Sequence, residues 1–240
     1  MDSNPTTSDT ETWFVGTSVA SVLAGWRSEV SLTLQRSQFE VGTVSGITTL
    51  LLLGTGVSRV RADDRIDPAH GSLVRARVRG GLEEILGDVT LLDLGAEARL
   101  IRSVAPRLRA RARVETAALF TSRFSRLPGS IRYFAGGDRS VRGFAYQSIG
   151  PVDNVGNVIG GSRLLVASFE VEFRVLRSWG IAAFVDGGNA FTSFSDPLET
   201  GVGAGLRWRS PIGMVRLDGA FAVSQPAAPF RFHLSLGPEL

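Results

Sequence analysis

The chain has 240 residues and a mass of 25.7 kDa, which by length is one domain or at most two. It contains no cysteine, so disulfide frameworks, thiolate zinc sites and cysteine nucleophiles are excluded, and two histidines leave little room for a His-rich metal site. All 26 basic residues are arginine and 23 acidic residues nearly balance them, so the net charge is only +3 and the pI near 10.4 reflects the absence of lysine, not a large positive field.

In chain order, residues 1–12 are polar and acidic, with neither a basic n-region nor an apolar h-region, so no signal peptide is read in this chain. They are expected to be a disordered or non-native N-terminus. The longest aliphatic block is Leu50 to Leu53, far short of the roughly 18 apolar residues of a membrane helix.

From residue 13 onward the pattern is alternation, in segments of about ten residues, the length a tilted membrane strand needs. Arg75, Arg77 and Arg79 alternate with Val74, Ala76 and Val78; Asp93, Glu97 and Arg99 with Leu92, Leu94, Ala96, Ala98 and Leu100. Arg107, Arg109, Arg111, Arg113 and Glu115 alternate with Leu108, Ala110, Ala112 and Val114. Glu170, Glu172 and Arg174 oppose Phe169, Val171 and Phe173. Turn residues such as Asp67-Pro68, Gly80-Gly81, Pro106, Pro128-Gly129, Pro211 and Pro226 separate the runs. They predict eleven strands, over 13–25, 29–40, 43–60, 72–84, 88–102, 107–121, 163–176, 180–191, 201–210, 213–223 and 230–237.

A charged strand face is ordinarily a solvated one. Here both signs of charge share one face while the opposite faces stay apolar on successive strands, which predicts a wet, charge-laced lumen inside a membrane barrel. A nucleic-acid surface fits less well, because acids share the arginine faces and no aromatics interleave them. Trp13, Trp26, Trp179 and Trp208 fall near strand ends, as in an aromatic girdle; core packing explains any one of them equally well.

The region 122–162 breaks the alternation and is rich in Gly, Asp, Asn and Ser, as functional or disordered loops are. Within it, Gly136-Gly137 permits a sharp turn, Asp138 and Arg139 can pair locally, and Val141, Arg142, Gly143 and Phe144 set a guanidinium beside a hinge and an aromatic anchor. Neither a P-loop lysine nor an EF-hand ligand series follows. Alternation also turns Phe184, Asp186 and Gly188 inward with Glu170. These carboxylates could pair with wall arginines such as Arg174 or Arg207, or serve acid/base chemistry; surrounding arginines would keep both ionised, which spoils a general acid. Ser168, His233 and Asp218 suggest a triad only superficially, since Ser168 lacks a nucleophile elbow. No enzyme, metal site or cofactor is expected.

The run Tyr133 to Pro151, with its Val-Arg-Gly-Phe core, resembles the lumenal loop motif of the BamA/TamA superfamily of outer-membrane insertases, the bacterial surface antigen barrels. In order, Ala167–Phe173 resembles the next strand of that family, Ala182–Phe191 the strand bearing Phe-x-Asp-x-Gly, and 201–218 and 232–240 its TamA branch, the translocation and assembly module subunit. The likeness is strong over about 130–240 and only pattern-level over 45–125. It implies an all-β fold: an antiparallel transmembrane β-barrel, partial, with about 11 C-terminal strands of a 16-stranded barrel over 13–240 and lumenal loop 122–162 folded inward. It implies docking of Arg142 on Glu170 and Asp186, with the loop bracing the wall opposite a lateral gate. That gate is the last strand, with Phe232, Leu234 and Leu236 toward lipid and Gly237-Pro238 ending it. It also implies an integral bacterial outer-membrane location and assembly of outer-membrane proteins such as autotransporters. The partners would be outer-membrane lipid, client β-barrel proteins and an inner-membrane-anchored TamB-like protein reached through POTRA domains absent here; no nucleic acid is expected. The alternatives are a passive outer-membrane channel, a non-functional barrel fragment, or a soluble all-β binding protein.

Overall fold

The structure, a computed structural model, describes residues 7–64, 67–193, 196–211 and 213–237, apart from the side chains of 7–10. Eleven strands lie within them: β1 Thr7–Leu23, β2 Trp26–Val41, β3 Val44–Ala62, β4 His70–Gly81, β5 Leu91–Ala105, β6 Leu108–Thr121, β7 Arg163–Arg174, β8 Trp179–Phe191, β9 Glu199–Ser210, β10 Gly213–Ala222 and β11 Phe230–Gly237. Each pairs antiparallel with the next in one sheet of order β1 to β11, so β1 and β11 each leave an edge unpaired among the described residues. A strand of ten to twelve residues rises about 35 Å, enough to cross a hydrocarbon layer.

The predicted strands all form. The main change is at the start, where β1 begins at Thr7 rather than 13. The expected disordered tail over 1–12 is therefore corrected for its second half: Thr7 pairs with Val41 and Thr12 with Ser37. Ladder bonds come from the backbone and need no apolar alternation in the side chains. Residues 1–6, and Pro238 beyond the last strand, lie outside the described residues.

The sheet curls, with one face outward and one enclosed. On β8, Ile181 and Val185 are exposed while Ala182, Phe184 and Asp186 are buried. Connections at 24–25, 106–107 and 175–178 are short and gather at one end with Asp67; 82–90, 122–162 and 223–229 gather at the other, beside the tight 42–43 turn. In outer-membrane barrels the long loops face outside and the short turns face the periplasm. Exposed aromatics mark both ends: Trp179 stacks on Trp208 at 5.7 Å at the short-turn end, and Phe230 packs on Phe221 at 4.9 Å at the long-loop end.

The interior has two tiers, and the expected charge-laced lumen is only one of them. At the long-loop end the 122–162 segment fills the lumen with apolar side chains: Leu127, Ile131, Val141, Phe144 and Ile149 pack against Leu50, Leu52, Leu119 and Val166 of the wall. The segment is an ordered insertion with bridges Tyr133–Gly161, Ala135–Ile149 and Val152–Val158. Burying a large aliphatic side chain stabilises by about 1.5–3 kcal/mol, so these contacts hold the loop inside. The charges concentrate in the other tier, toward the short turns.

Candidate functional site

Arg142 sits where the tiers meet. The chain reaches it through Gly136 and Gly137, at φ +97° and +101°, a region closed to most side chains. Its Nε and Nη2 donate to Asp186 Oδ2 and Oδ1 at 2.7 and 2.9 Å, a two-pronged pairing, and its backbone N–H reaches Asp186 Oδ2 at 3.0 Å. Nη1 donates to Glu170 Oε2 at 3.1 Å and to Asp218 Oδ2 at 2.8 Å. The guanidinium lies over the Phe184 ring, 3.3 Å from its centroid. Burial disfavours its charge, but the carboxylates, Asp186 foremost, hold its pKa well above the ordinary arginine value.

Arg207 of β9 completes the set. Its Nη2 reaches Glu170 at 2.6 Å and its Nη1 Asp218 at 2.5 Å, while Arg111 donates to Glu170 at 2.6 Å. Glu170 thus serves the loop arginine and two wall arginines at once, so the two pairings open from sequence coexist. Arg174 goes elsewhere, to Asp67 at 2.8 Å. Sequence reasoning weighed Asp218 only as a triad member; its lumen-facing place on β10, two residues from Arg216, was the available signal. Ser168 Oγ donates to Asp186 at 2.6 Å and His233 bonds to the loop, so Ser168, His233 and Asp218 do not form a relay.

The wall is cut to fit the loop. A Cβ on Gly201 would overlap the Arg142 carbonyl oxygen, and one on Gly143 would stand 2.8 Å from the Phe221 carbonyl carbon. Val141 and Phe144 anchor either side of Arg142 in the apolar tier. Arg139 is exposed, and its carbonyl accepts from Arg113. Gly188 lies beside Leu165 and Val166 of β7.

The loop packs on β3 and β6 through its apolar side chains, and it also binds the last strand. Gly143 N–H donates to His233 Nε2 at 2.9 Å, and His233 Nδ1 bonds Asp138 Oδ1 at 2.5 Å. An accepting Nε2 places the ring proton on Nδ1, facing the carboxylate. Alternation says only that His233 points inward, not what it meets. Phe232, Leu234 and Leu236 point outward, at 75, 66 and 52% exposure, and Gly237 ends the strand.

At the short-turn end, Asp67 enters the lumen from the β3–β4 turn. It accepts from Arg109 at 2.6 Å, Arg209 at 2.9 Å and Arg174, joining strands far apart in the sheet, and Pro68 O also accepts from Arg109. Burial opposes its charge, but Arg109 and Arg209 outweigh that and hold its pKa below the usual carboxylate range. A depressed folded pKa contributes stability above the unfolded value of about 4 and loses it as pH falls through the folded one. Asp67→Asn should therefore loosen this floor at neutral pH, and the unaltered chain should loosen only in acid. Planar-bilayer conductance is expected to rise in both cases.

The Omp85 superfamily domain model matches residues 20–239. The chain belongs to the Omp85 superfamily. Among curated proteins, the outer membrane protein assembly factor BamA of Nitratidesulfovibrio vulgaris (strain Hildenborough) is 27% identical over 176 residues, 70% of this chain and 22% of that protein. The chain thus spans about a fifth of that curated relative's length. Among solved structures, BamA from Haemophilus ducreyi lacking POTRA domains 1–3 superposes with a TM-score of 0.77 at 17% identity, over 94% of this chain and 52% of that one. CdiB from Acinetobacter baumannii gives 0.57 at 14% identity, over 94% and 41%. At these identities the structural likeness is one of fold, and it is the partial barrel of an Omp85 member.

Proposed function

We propose that this chain is the barrel part of an outer-membrane insertase, one that assists the folding and insertion of client β-barrel proteins and is not an enzyme. The observation that carries the reading is the docking of Arg142 on Asp186, Glu170 and Asp218, with Gly143 and Asp138 held to the last strand by His233. The loop grips β7, β8, β10 and β11 together, so the position of the last strand is set by the same segment that fills the lumen.

The driving force on this reading is strand pairing at β11. Unpaired backbone N–H and C=O groups cost several kcal/mol each in hydrocarbon, so a client strand that pairs with the β11 edge is strongly favoured. No nucleotide is needed. A TamA-like role with autotransporter clients and an inner-membrane-anchored partner is the finer form of this reading, supported by the TamA-like pattern of 201–218 and 232–240. A passive channel is disfavoured by a lumen filled with apolar side chains at one end and crossed by Asp67 at the other.

The test is the folding rate of an urea-unfolded autotransporter barrel into vesicles with and without this chain. Acceleration supports the insertase; ion conductance with unchanged client folding supports the channel. The latch has its own readout: His233→Ala should speed hydrogen exchange of the β10–β11 amides at 230–237 by tenfold or more, leaving β4–β5 amides unchanged.

A further inference from the structure

The outward face carries a groove of about 960 Å³ near the long-loop end of β2–β6. Its origin is visible in one cross-strand row. The register aligns Leu32 of β2, Leu53 of β3, Gly80 of β4, Leu92 of β5 and Phe120 of β6. Four large apolar side chains flank a position with none. Nothing in the backbone demands this glycine: its φ lies outside the left-handed region, and the nearest atom to an added Cβ is Leu91 O at 3.7 Å, an ordinary contact. The missing side chain leaves a notch in an otherwise continuous apolar wall.

The 82–90 connection deepens it. Leu82 and Ile85 line the groove from the loop side although both stay about half exposed, at 48 and 54%. Immediately beyond two lining residues, Leu82 and Ser122, stand Glu83 and Arg123, which pair across the rim. The Arg123 side chain is 42% exposed and bonds Glu83 through Nη1. The rim therefore presents, one residue beyond the apolar trench, a part-exposed guanidinium that uses Nη1 on Glu83, an arrangement that a phosphate joined to a hydrocarbon chain can complement.

We infer that this groove is a phospholipid site, with one acyl chain lying in the Gly80 notch under Leu82 and Ile85 and the lipid phosphate at Arg123. The inference rests on the reading of the sheet as membrane-spanning. A lipid held here would seal the notch between β3 and β5 and tie the 82–90 loop to the membrane surface.

Native mass spectrometry of the chain released from phosphatidylethanolamine nanodiscs tests it. The unaltered chain should retain one phospholipid. Gly80→Leu, which fills the notch, should cut retention at least tenfold; Arg123→Ala should cut it several-fold. Val74→Leu, on the outer face of the same strand but away from the groove, should retain lipid like the parent. Equal retention in Gly80→Leu and the parent, or none in the parent, would overturn the site. Vesicle flotation separates this from the membrane reading: a chain that floats with vesicles yet retains no lipid refutes only the groove, whereas one that does not float refutes the barrel placement itself.

Discussion

Arg142→Ala is expected to release the lumenal loop and to be the most damaging single substitution in the chain. It would strip three acids of a shared partner. Arg207 and Arg111 still reach Glu170, and Arg207 still reaches Asp218, but Asp186 is fully buried and would keep the Ser168 hydroxyl and the loop amide as hydrogen-bond donors, with no guanidinium bonded to it among the described residues. Removing one partner of a buried pair costs about 3–5 kcal/mol, because the other charge remains buried. Arg142→Lys should rescue little, since an ammonium cannot span Asp186, Glu170 and Asp218 from one planar fork. Arg139→Ala, at an exposed side chain, should cost far less. The measurement is the heat-modifiable gel shift of the folded barrel together with the client-folding rate. Equal losses for the Arg142 and Arg139 variants would refute the docking as a functional element.

Gly201→Val should unseat the same loop without altering a charge. Valine suits a β9 strand by itself, but its side chain would occupy the space of the Arg142 carbonyl, which is backbone and cannot rotate away. Overpacking of this kind costs about 1–3 kcal/mol, and here the strain falls on the loop rather than on the strand. Gly187→Ala on β8 is the control, because an added Cβ there meets nothing closer than Glu199 O at 4.0 Å. The expected result is a lowered unfolding temperature and slower client folding for Gly201→Val, with Gly187→Ala close to the parent. If the two glycine variants behave alike, the wall is not shaped around the loop.

Much of this was readable from residues. Strand number and face follow from period-two alternation, which the pleat imposes on every strand and which needs no tertiary partner to express itself. The inward set of Glu170, Phe184 and Asp186 follows from the same rule, and Arg142 stood out because it sits between glycines and Phe144 in a segment that breaks the alternation. The upper tier was not readable. Leu50, Leu52 and Val166 point inward within long aliphatic stretches, where alternation is silent, so their burial against Leu127 and Phe144 emerged only with the loop in place.

Contacts between residues distant in the chain mark the other boundary. Asp67 meets Arg209, and Asp138 meets His233, across separations that no local pattern encodes. Tyr133 shows the same: burial, with Asp93, pushes its phenol up to about 12, and it donates to that carboxylate while accepting from Arg77. By itself the sequence determined that this chain is a set of eleven antiparallel strands with one apolar side, one polar side and a special loop, because those properties are local and periodic. Which acids the loop arginine grips, that the loop holds the last strand, and that a glycine opens a notch in the outer face were decided by the curl and register of the sheet. Those depend on how strands stack side by side, and a one-dimensional pattern carries no record of it.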